Sequence, residues 1–282
     1  MTVHDAKTII KNLTPLANKG WVPKMFFAMS GEPLMNKDLP EILCIFRERF
    51  KESNIAIISN GDFLGKIDAD AVFDEIDIMI VDAYTESAKQ RVFEVCKEKE
   101  LNCVDFYADW ALRKISPFSN LRRKFHRTVC VIADLKTNSG KVASRKLHNY
   151  GGNVPLIHKK LLMKKICVNP VRELVIKHDG TVTICCMDVG NEFVAGNLTK
   201  EPVEKIWFSA PMESARKLLR RGNRAFSPCA FCTACLPGSF AITSSFSLPY
   251  PQSKDYTIIK DHLKSLDDSG LETKNGRKRF SC

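Results

Sequence analysis

The sequence has no basic start followed by an apolar run. It opens Met1-Thr2-Val3-His4-Asp5-Ala6-Lys7, which is not how a secretory signal begins. No uninterrupted apolar stretch approaches the roughly 20 residues that cross a bilayer as a helix. A soluble, cytoplasmic protein is therefore expected, with no membrane partner. An even set of cysteines is also missing. Eleven thiols is an odd number, and in a reducing compartment it argues against a disulfide framework and for a metal or redox role. Acidic residues are scarce in one place. Residues 113–165 hold 14 Lys or Arg and a single acid, Asp134, so nearly all of the formal net charge of +11 sits there. Such a block either draws an anionic partner, whether nucleic acid, a phosphorylated substrate or an acidic peptide, or is a solvated face. The aromatics interleaved with its first basic run are Phe118 and Phe125, thin support for base stacking, so nucleic acid is not the favoured partner.

What is present is enough apolar material for a folded protein. With 282 residues, 44% of them hydrophobic, the chain can bury one large core or one core plus a satellite. Val3, Ala6, Ile9, Ile10, Leu13, Leu16 and Ala17 recur at helical spacing, and Gly20 with Pro23 ends the run. An apolar run over residues 25–29 reads as a buried strand that breaks at Ser30-Gly31-Glu32-Pro33. Residues 37–51 read as a helix, 55–58 as a strand ending at Ser59-Asn60-Gly61, and 76–81 as a strand ending in Asp82. A helix over 86–100 and strands over 103–107 and 129–133, around one further helix, complete the pattern. Strands separated by helices of this length predict a parallel sheet, open or closed into a barrel. In such folds chemistry gathers at the carboxyl ends of the strands.

From about Lys165 the pattern changes to short strands and turns. Residues 174–185 alternate in period two around Asp179-Gly180, a hairpin that places Cys185 on the returning strand. A helical segment over 201–220, broken near Pro211, leads to Cys229-Ala230-Phe231-Cys232-Thr233-Ala234-Cys235. Beyond Gly238 the sequence turns into a Ser/Pro-rich stretch and then a polar tail. The expected domains are 1–164, 165–240, and a weakly ordered tail over 241–282.

The chemistry concentrates in the second of these. Cys-x-x-Cys sets two thiolates one tight turn apart, and a distant Cys-x17-Cys pair completes four ligands. Cys167, Cys185, Cys229 and Cys232 are the best-placed four, with Cys186 and Cys235 as alternates. Structural zinc and an iron–sulfur cluster both want tetrahedral thiolates, so spacing alone leaves the two open. Cys44, Cys96, Cys103 and Cys130 fall within helix or strand patterns, where a buried thiol acts as a small hydrophobe. Cys282 is on the terminal tail. Glu32, between Gly31 and Pro33, is either a turn carboxylate or, capping a buried strand, a group that receives a ligand's ammonium. Asn60-Gly61 is either a turn or a site loop, and Asp82 either a site residue or an early cap for the helix near Glu86.

Taken in order, Gly31-Glu32-Pro33-Leu34, Ser59-Asn60-Gly61, Asp82, Cys167-x17-Cys185 with Asp179-Gly180, Gly196-Asn197, Ile206-Trp207 and Cys229-x2-Cys232 resemble radical S-adenosylmethionine (SAM) enzymes with a C-terminal SPASM or twitch domain. The resemblance spans roughly residues 3–235. It implies an α/β fold, a partial (β/α)6 TIM-like barrel followed by a small α+β iron–sulfur domain. It implies a reductive cleavage of SAM that yields a hydrogen-abstracting radical, with a flavodoxin or ferredoxin as reductant and a peptide or anionic small molecule as substrate. Gly31, Glu32 and Pro33 would contact the SAM methionyl group, with Ser30 where the family has another Gly. Ser59, Asn60 and Asp82 would line the SAM or substrate cavity. Cys167, Cys185, Cys229 and Cys232 would hold one auxiliary [4Fe-4S] cluster.

The sequence departs from the family in containing no Cys-x3-Cys-x2-Cys, the loop that holds the SAM-cleaving cluster. As written the chain is expected not to perform the family's reaction. It begins where the family's first crossover helix begins, so an incomplete reading frame, missing the first strand and that loop, is the leading expectation. A separate polypeptide supplying them, or a member that binds without reacting, are the others; the last would leave residues 25–29 as a hydrophobic sheet edge. A non-catalytic protein with a structural four-cysteine site and a basic surface is the contrasting reading.

Overall fold

The computed structural model describes residues 1–18, 23–28, 31–83, 85–105, 127–133, 167 and 169–232. Among these, the chain divides into two compact units. One comprises residues 1–11 and the described residues from 23 to 133, and the other residues 12–18 and those from 167 onward. The basic block 113–165 apart from 127–133, the expected border near 165, Ser30, Cys235, Cys282 and the tail 241–282 lie outside the described residues.

The first unit alternates helix and strand as its hydrophobic spacing requires. Helix α1 (Val3–Asn18), of which residues 3–11 belong to this unit and 12–18 to the other, buries Ala6, Ile9, Ile10 and Leu13, spaced by three and four residues along one face. Strand β1 (Lys24–Phe27) is followed by helix α2 (Leu39–Arg49), which buries Leu39, Ile42, Leu43 and Phe46. At about 1.5 to 3 kcal/mol for each fully buried side chain, that face is what keeps an 11-residue helix formed. Strand β2 (Asn54–Ser59), helix α3 (Ala69–Phe73), strand β3 (Ile78–Ala83), helix α4 (Glu86–Glu98) and strands β4 (Asn102–Asp105) and β5 (Thr128–Ala133) follow. The α4 cap is Thr85, whose hydroxyl accepts from the Ala88 nitrogen at 3.1 Å, and Asp82 stays within β3.

The five strands form one parallel sheet in the order β1-β2-β3-β5-β4. The expected parallel α/β class is found. The order departs from chain order, because β5 enters between β3 and β4. The composition of the strands explains the exchange. In β5, Val129, Cys130 and Val131 are all buried, as a strand covered on both faces requires, whereas β4 is four residues long with polar ends and suits an edge. The opposite edge is β1, where Phe26 is 41% exposed.

The registers Phe27↔Ile57 and Ser59↔Val81 set the carboxyl ends of β1, β2 and β3 side by side. The amino ends of β2 and β3 are clamped by Arg47, which donates to the carbonyls of Ser53 at 2.7 Å and Glu75 at 2.7 Å and pairs with Asp77 at 2.8 Å. The same Asp77 oxygen accepts from the Ile55 nitrogen at 2.6 Å.

The second unit is built around a three-stranded antiparallel sheet, β6 (Val175–Ile176), β7 (Thr181–Thr183) and β8 (Val194–Asn197). The β6–β7 turn closes with Gly180 at φ +82, its nitrogen donating to the Lys177 oxygen at 3.0 Å and Asp179 accepting from the Thr181 nitrogen at 3.0 Å. Asn197 accepts from the Thr199 nitrogen at 2.8 Å and donates to the Asp179 oxygen at 3.1 Å, tying β8 to the turn. A Cβ on Gly196 would meet Ile206 of the helix Val203–Trp207 at 2.7 Å. The dispersed Asp-Gly, Gly-Asn and Ile-Trp signals are therefore parts of one packed unit. The expected helix over 201–220 is two, Val203–Trp207 and Ala210–Arg220, which part at Phe208-Ser209, just before Pro211.

Candidate functional site

Two sets of residues carry the chemistry, one in each unit. In the first, the chain leaves β1 and turns at Gly31, exposed and at φ +108, where an added Cβ would meet nothing within 4 Å among the described residues. Its backbone is open to a ligand. Pro33 opens a 3-10 turn, Pro33–Met35, capped by Glu32, whose carboxylate accepts from the Leu34 nitrogen at 3.0 Å. The other carboxylate oxygen accepts from the Asn60 nitrogen at 2.8 Å. The structure thus joins two of the expected site loops through one side chain.

Ser59 and Asn60 stand at the end of β2 as expected, but their side chains serve the turn. The Ser59 hydroxyl accepts from the Gly61 nitrogen at 2.9 Å and the Asn60 side chain from the Asp62 nitrogen at 2.9 Å. This is what small polar residues do wherever a strand ends in a tight turn. Gly61, at φ +84, lies so close to Val81 and Val92 that a Cβ would meet each at 2.8 Å. Asp82 is partly buried, one residue before the end of β3, with its backbone opposite Ile132 of β5. Gly31, Glu32, Asn60 and Asp82 therefore share the carboxyl end of the sheet.

In the second unit Cys167, Cys185, Cys229 and Cys232 are all buried in one cluster with Ile184, Met187, Ala215 and Leu219. Cys186, Phe193 and Phe226 pack against it. Three separate pieces of backbone deliver the four cysteines. Cys167 donates its nitrogen to the Leu219 oxygen at 3.2 Å and precedes a short helix, Asn169–Arg172. Cys185 lies two residues beyond the end of β7, in a bend, and not on the strand itself; the ladder with β8 ends at Thr183↔Val194, and the Asp188 nitrogen donates back to the Cys185 oxygen at 3.1 Å. Cys229 opens the 3-10 turn Cys229–Phe231, and the Cys232 nitrogen donates to its oxygen at 3.3 Å, the expected single tight turn.

Burial pushes the Cys185 thiol well above its usual range, and the charges that Cys186, Cys229 and Cys232 would carry push it the same way. Cys186 is pushed up to about 12 by burial and then by the negative charge of Glu173 nearby. No three His, Cys, Asp or Glu among the described residues are gathered around a point that could hold a single metal ion. The donor set fits a thiolate-bound group: four soft sulfurs, shielded from water, that exchange protons for metal on binding. Cys96 and Cys103 hydrogen-bond to each other, which with its burial pushes the Cys96 thiol up.

Sequence reasoning passed over three residues in this unit. Asp188, fully buried, accepts from the Glu192 and Phe193 nitrogens at 2.9 Å each and so shapes the bend after Cys185. Arg216 and Arg224 are buried beside the cysteine segments. An arginine four residues after Met212, on the apolar face of a helix, was the available signal for Arg216; Arg224 and Asp188 lie in irregular backbone, where spacing says nothing.

Comparison with known proteins resolves the choice of metal. Residues 167–236 match SPASM, an iron-sulfur cluster-binding domain. Over 232 residues, 81% of this chain and 78% of the relative, the sequence is 23% identical to the S-adenosyl-L-methionine-dependent 2-deoxy-scyllo-inosamine dehydrogenase of Niallia circulans. The fold is shared with BtrN in complex with AdoMet and 2-DOIA, at a TM-score of 0.58 and 23% identity, covering 83% of this chain and 80% of that one. Selenomethionine BtrN in an open conformation gives a TM-score of 0.51 and 20% identity, covering 79% and 75%. No helix among the described residues is long and apolar enough to cross a membrane. The chain thus combines residues that match an iron–sulfur cluster-binding SPASM domain with a parallel α/β unit, in a fold shared with BtrN.

Proposed function

We propose that the protein is a radical SAM oxidoreductase that carries one auxiliary [4Fe-4S] cluster on Cys167, Cys185, Cys229 and Cys232. The observation that carries the reading is that these four thiols, from three separated segments, share one buried cluster within the residues that match SPASM. An iron–sulfur cluster bound there supplies a one-electron acceptor or donor. S-adenosylmethionine, where a second cluster able to reduce it is supplied, would furnish a hydrogen-abstracting radical.

The chain's own residues set the frame for that chemistry. Gly31 offers open backbone at the end of β1, Glu32 locks its turn to the backbone of Asn60, and Asp82 adds a carboxylate on the neighbouring strand. The substrate class supported by the relative is a small hydroxyl-bearing molecule. Converting an alcohol to a ketone removes two electrons and two protons. Hydrogen-atom abstraction takes one of each, so a second electron and a second proton must also leave: the electron would pass to a cluster on the buried four-cysteine site and the hydroxyl proton to a base or to water. Because the sequence contains no Cys-x3-Cys-x2-Cys, the chain on its own is proposed to hold the auxiliary cluster without cleaving SAM.

Anaerobic reconstitution with iron and sulfide tests this directly. The expected product is brown, with about four irons and four labile sulfides per chain. Stoichiometric zinc with no labile sulfide would overturn the assignment. The contrasting reading, a non-catalytic protein with an anionic partner, has the basic block 113–165 in its favour. Steeply salt-dependent binding to nucleic acid, unchanged when the cysteines are replaced, is the result that would favour it.

A further inference from the structure

The ladder between β7 and β8 ends at Thr183↔Val194, and the loop between them, residues 184–193, carries Cys185 near one end and Phe193 at the other. Asp188, 0% exposed, lies inside that loop. Its carboxylate accepts from the Glu192 nitrogen through Oδ1 and from the Phe193 nitrogen through Oδ2, each at 2.9 Å. Its own nitrogen donates to the carbonyl oxygen of Cys185 at 3.1 Å. The hydroxyl of Thr183, 1% exposed, donates to the same oxygen at 3.4 Å. Phe193 and Phe226 both pack against the buried cysteine cluster, their ring centres 6.1 Å apart. Each of the two is itself partly exposed, so together they form an outer layer over the thiols. One residue thus grips both ends of the loop, the end that bears a cysteine and the end that bears an aromatic ring.

A carboxylate wholly out of water is costly unless donors hold it. Hydrogen bonds from backbone nitrogens to an ionised oxygen are about twice as strong as neutral ones, and two of them on one side chain fix direction as well as distance. The sheet cannot supply that constraint, because its hydrogen bonds stop at Thr183 and the residues beyond would otherwise keep their conformational freedom. We propose that Asp188 is the positioning residue of the four-cysteine site: its nitrogen holds the Cys185 backbone, and its carboxylate seats Phe193, which with Phe226 covers the site against water. The inference rests on the assignment of a cluster to the four cysteines. The hold of a protein on its metal depends on the residues behind the ligands and on the apolar shell around them, so a loosened cover is read as faster loss of iron.

The full chain, reconstituted anaerobically, is given a coloured iron chelator; release is followed by visible absorbance and folding by circular dichroism. Asp188→Asn keeps the volume and one acceptor but sets an amide NH2 against the other backbone nitrogen, and Phe193→Ala removes the ring alone. Gly180→Ala, at the opposite end of β7, is the control for a loss of stability that leaves the loop intact. Asp188→Asn and Phe193→Ala are each expected to release iron about ten-fold faster than the unmodified protein. The double variant is expected to exceed the quicker single one by no more than about three-fold, because both changes open the same cover. Gly180→Ala is expected to stay within about two-fold of the unmodified protein, since it acts on a separate turn. A folded Asp188→Asn chain that takes up no cluster, when Phe193→Ala takes it up, supports the hold on Cys185. Release from Asp188→Asn at the original rate, single effects that multiply in the double variant, or Gly180→Ala as fast as Asp188→Asn overturns the inference. So does an Asp188→Asn chain that does not fold at all, which makes Asp188 a residue of the fold alone. Unmodified protein that takes up no iron and sulfide defeats the cluster assignment itself and the inference with it, which separates the two failures.

Discussion

The Glu32 carboxylate on the turn after β1 accepts a hydrogen bond from the backbone nitrogen of Asn60, after β2, at 2.8 Å, and its other oxygen caps its own turn through the Leu34 nitrogen at 3.0 Å. Two loops far apart in sequence are thereby fixed to each other at the carboxyl end of the sheet. Any ligand that reaches Glu32 meets a carboxylate already oriented on both oxygens, which leaves its remaining lone pairs aimed in set directions.

Replacing Glu32 tests that fastening. Glu32→Ala leaves two backbone nitrogens without their acceptor and is expected to cost about 1 to 3 kcal/mol in urea unfolding. Amide exchange at Asn60 should accelerate, and SAM binding measured by calorimetry should weaken. An unchanged Asn60 exchange rate would show that the two loops are held together by something else.

At the other end of the sheet, Arg47 and Asp77 are an ion pair with side chains only 11% and 4% exposed. Removing one partner of a buried pair strands the other. Arg47→Ala is expected to destabilise the fold by about 3 to 5 kcal/mol, and the double replacement Arg47→Met with Asp77→Leu by less than the single one. Thermal unfolding of the three variants gives the comparison; a double variant worse than either single change would exclude an unpaired charge as the cause.

The raised thiol of Cys185 gives the cluster-free protein a defined alkaline weakness. In the unfolded chain the thiol ionises near its ordinary value of 9.0, whereas in the folded chain burial keeps it protonated to higher pH. A folded-state value above the unfolded one means that the stability contribution is complete below about pH 9 and is lost as pH rises beyond it. Stability by denaturant titration should therefore be flat below about pH 8.5 and fall above pH 9, and Cys185→Ala should flatten the fall. Loss beginning well below pH 8 would contradict the assignment.

Gly180 and Gly31 both have positive φ but differ in their surroundings. A Cβ on Gly180 would meet Thr199 Cγ2 at 2.6 Å, whereas one on Gly31 would meet nothing within 4 Å among the described residues. Gly180→Ala is expected to cost about 2 to 4 kcal/mol, from left-handed backbone strain and overpacking together, and Gly31→Ala the backbone strain alone. Equal losses would mean that the space around Gly180 yields readily.

Cys185 and Cys186 are neighbours in different surroundings: Cys185 is buried in the cluster with Cys167, Cys229 and Cys232, and Cys186 packs against it from a partly buried position near the charge of Glu173. Cys185→Ser should abolish most iron uptake in the reconstituted protein, while Cys186→Ser should retain it, as read by iron and sulfide content. The opposite result would exchange the two cysteines in the ligand set.

Much of this architecture was legible in residue order. Helix α1 and the strands of the first unit follow from apolar spacing, and the turn at Asp179-Gly180 follows from its chemistry, because each depends on neighbours within a few residues. Spacing also singled out Cys167, Cys185, Cys229 and Cys232, but it could not choose between zinc and iron–sulfur, since both use the same thiolates. The expected roles of Ser59 and Asn60 were harder to read. Their side chains can serve a ligand or their own turn, and only the positions of the Gly61 and Asp62 nitrogens show the second use.

The sequence by itself determined the local elements, the parallel α/β class and the chemistry of the donors, because propensity, periodicity and turn geometry act over short chain distances. Tertiary structure alone decided that β5 enters between β3 and β4, that Glu32 holds Asn60, and that Arg216 and Arg224 are buried beside the cysteine segments. Those outcomes depend on which surfaces leave water together, a sum over residues distant in sequence that no local pattern records.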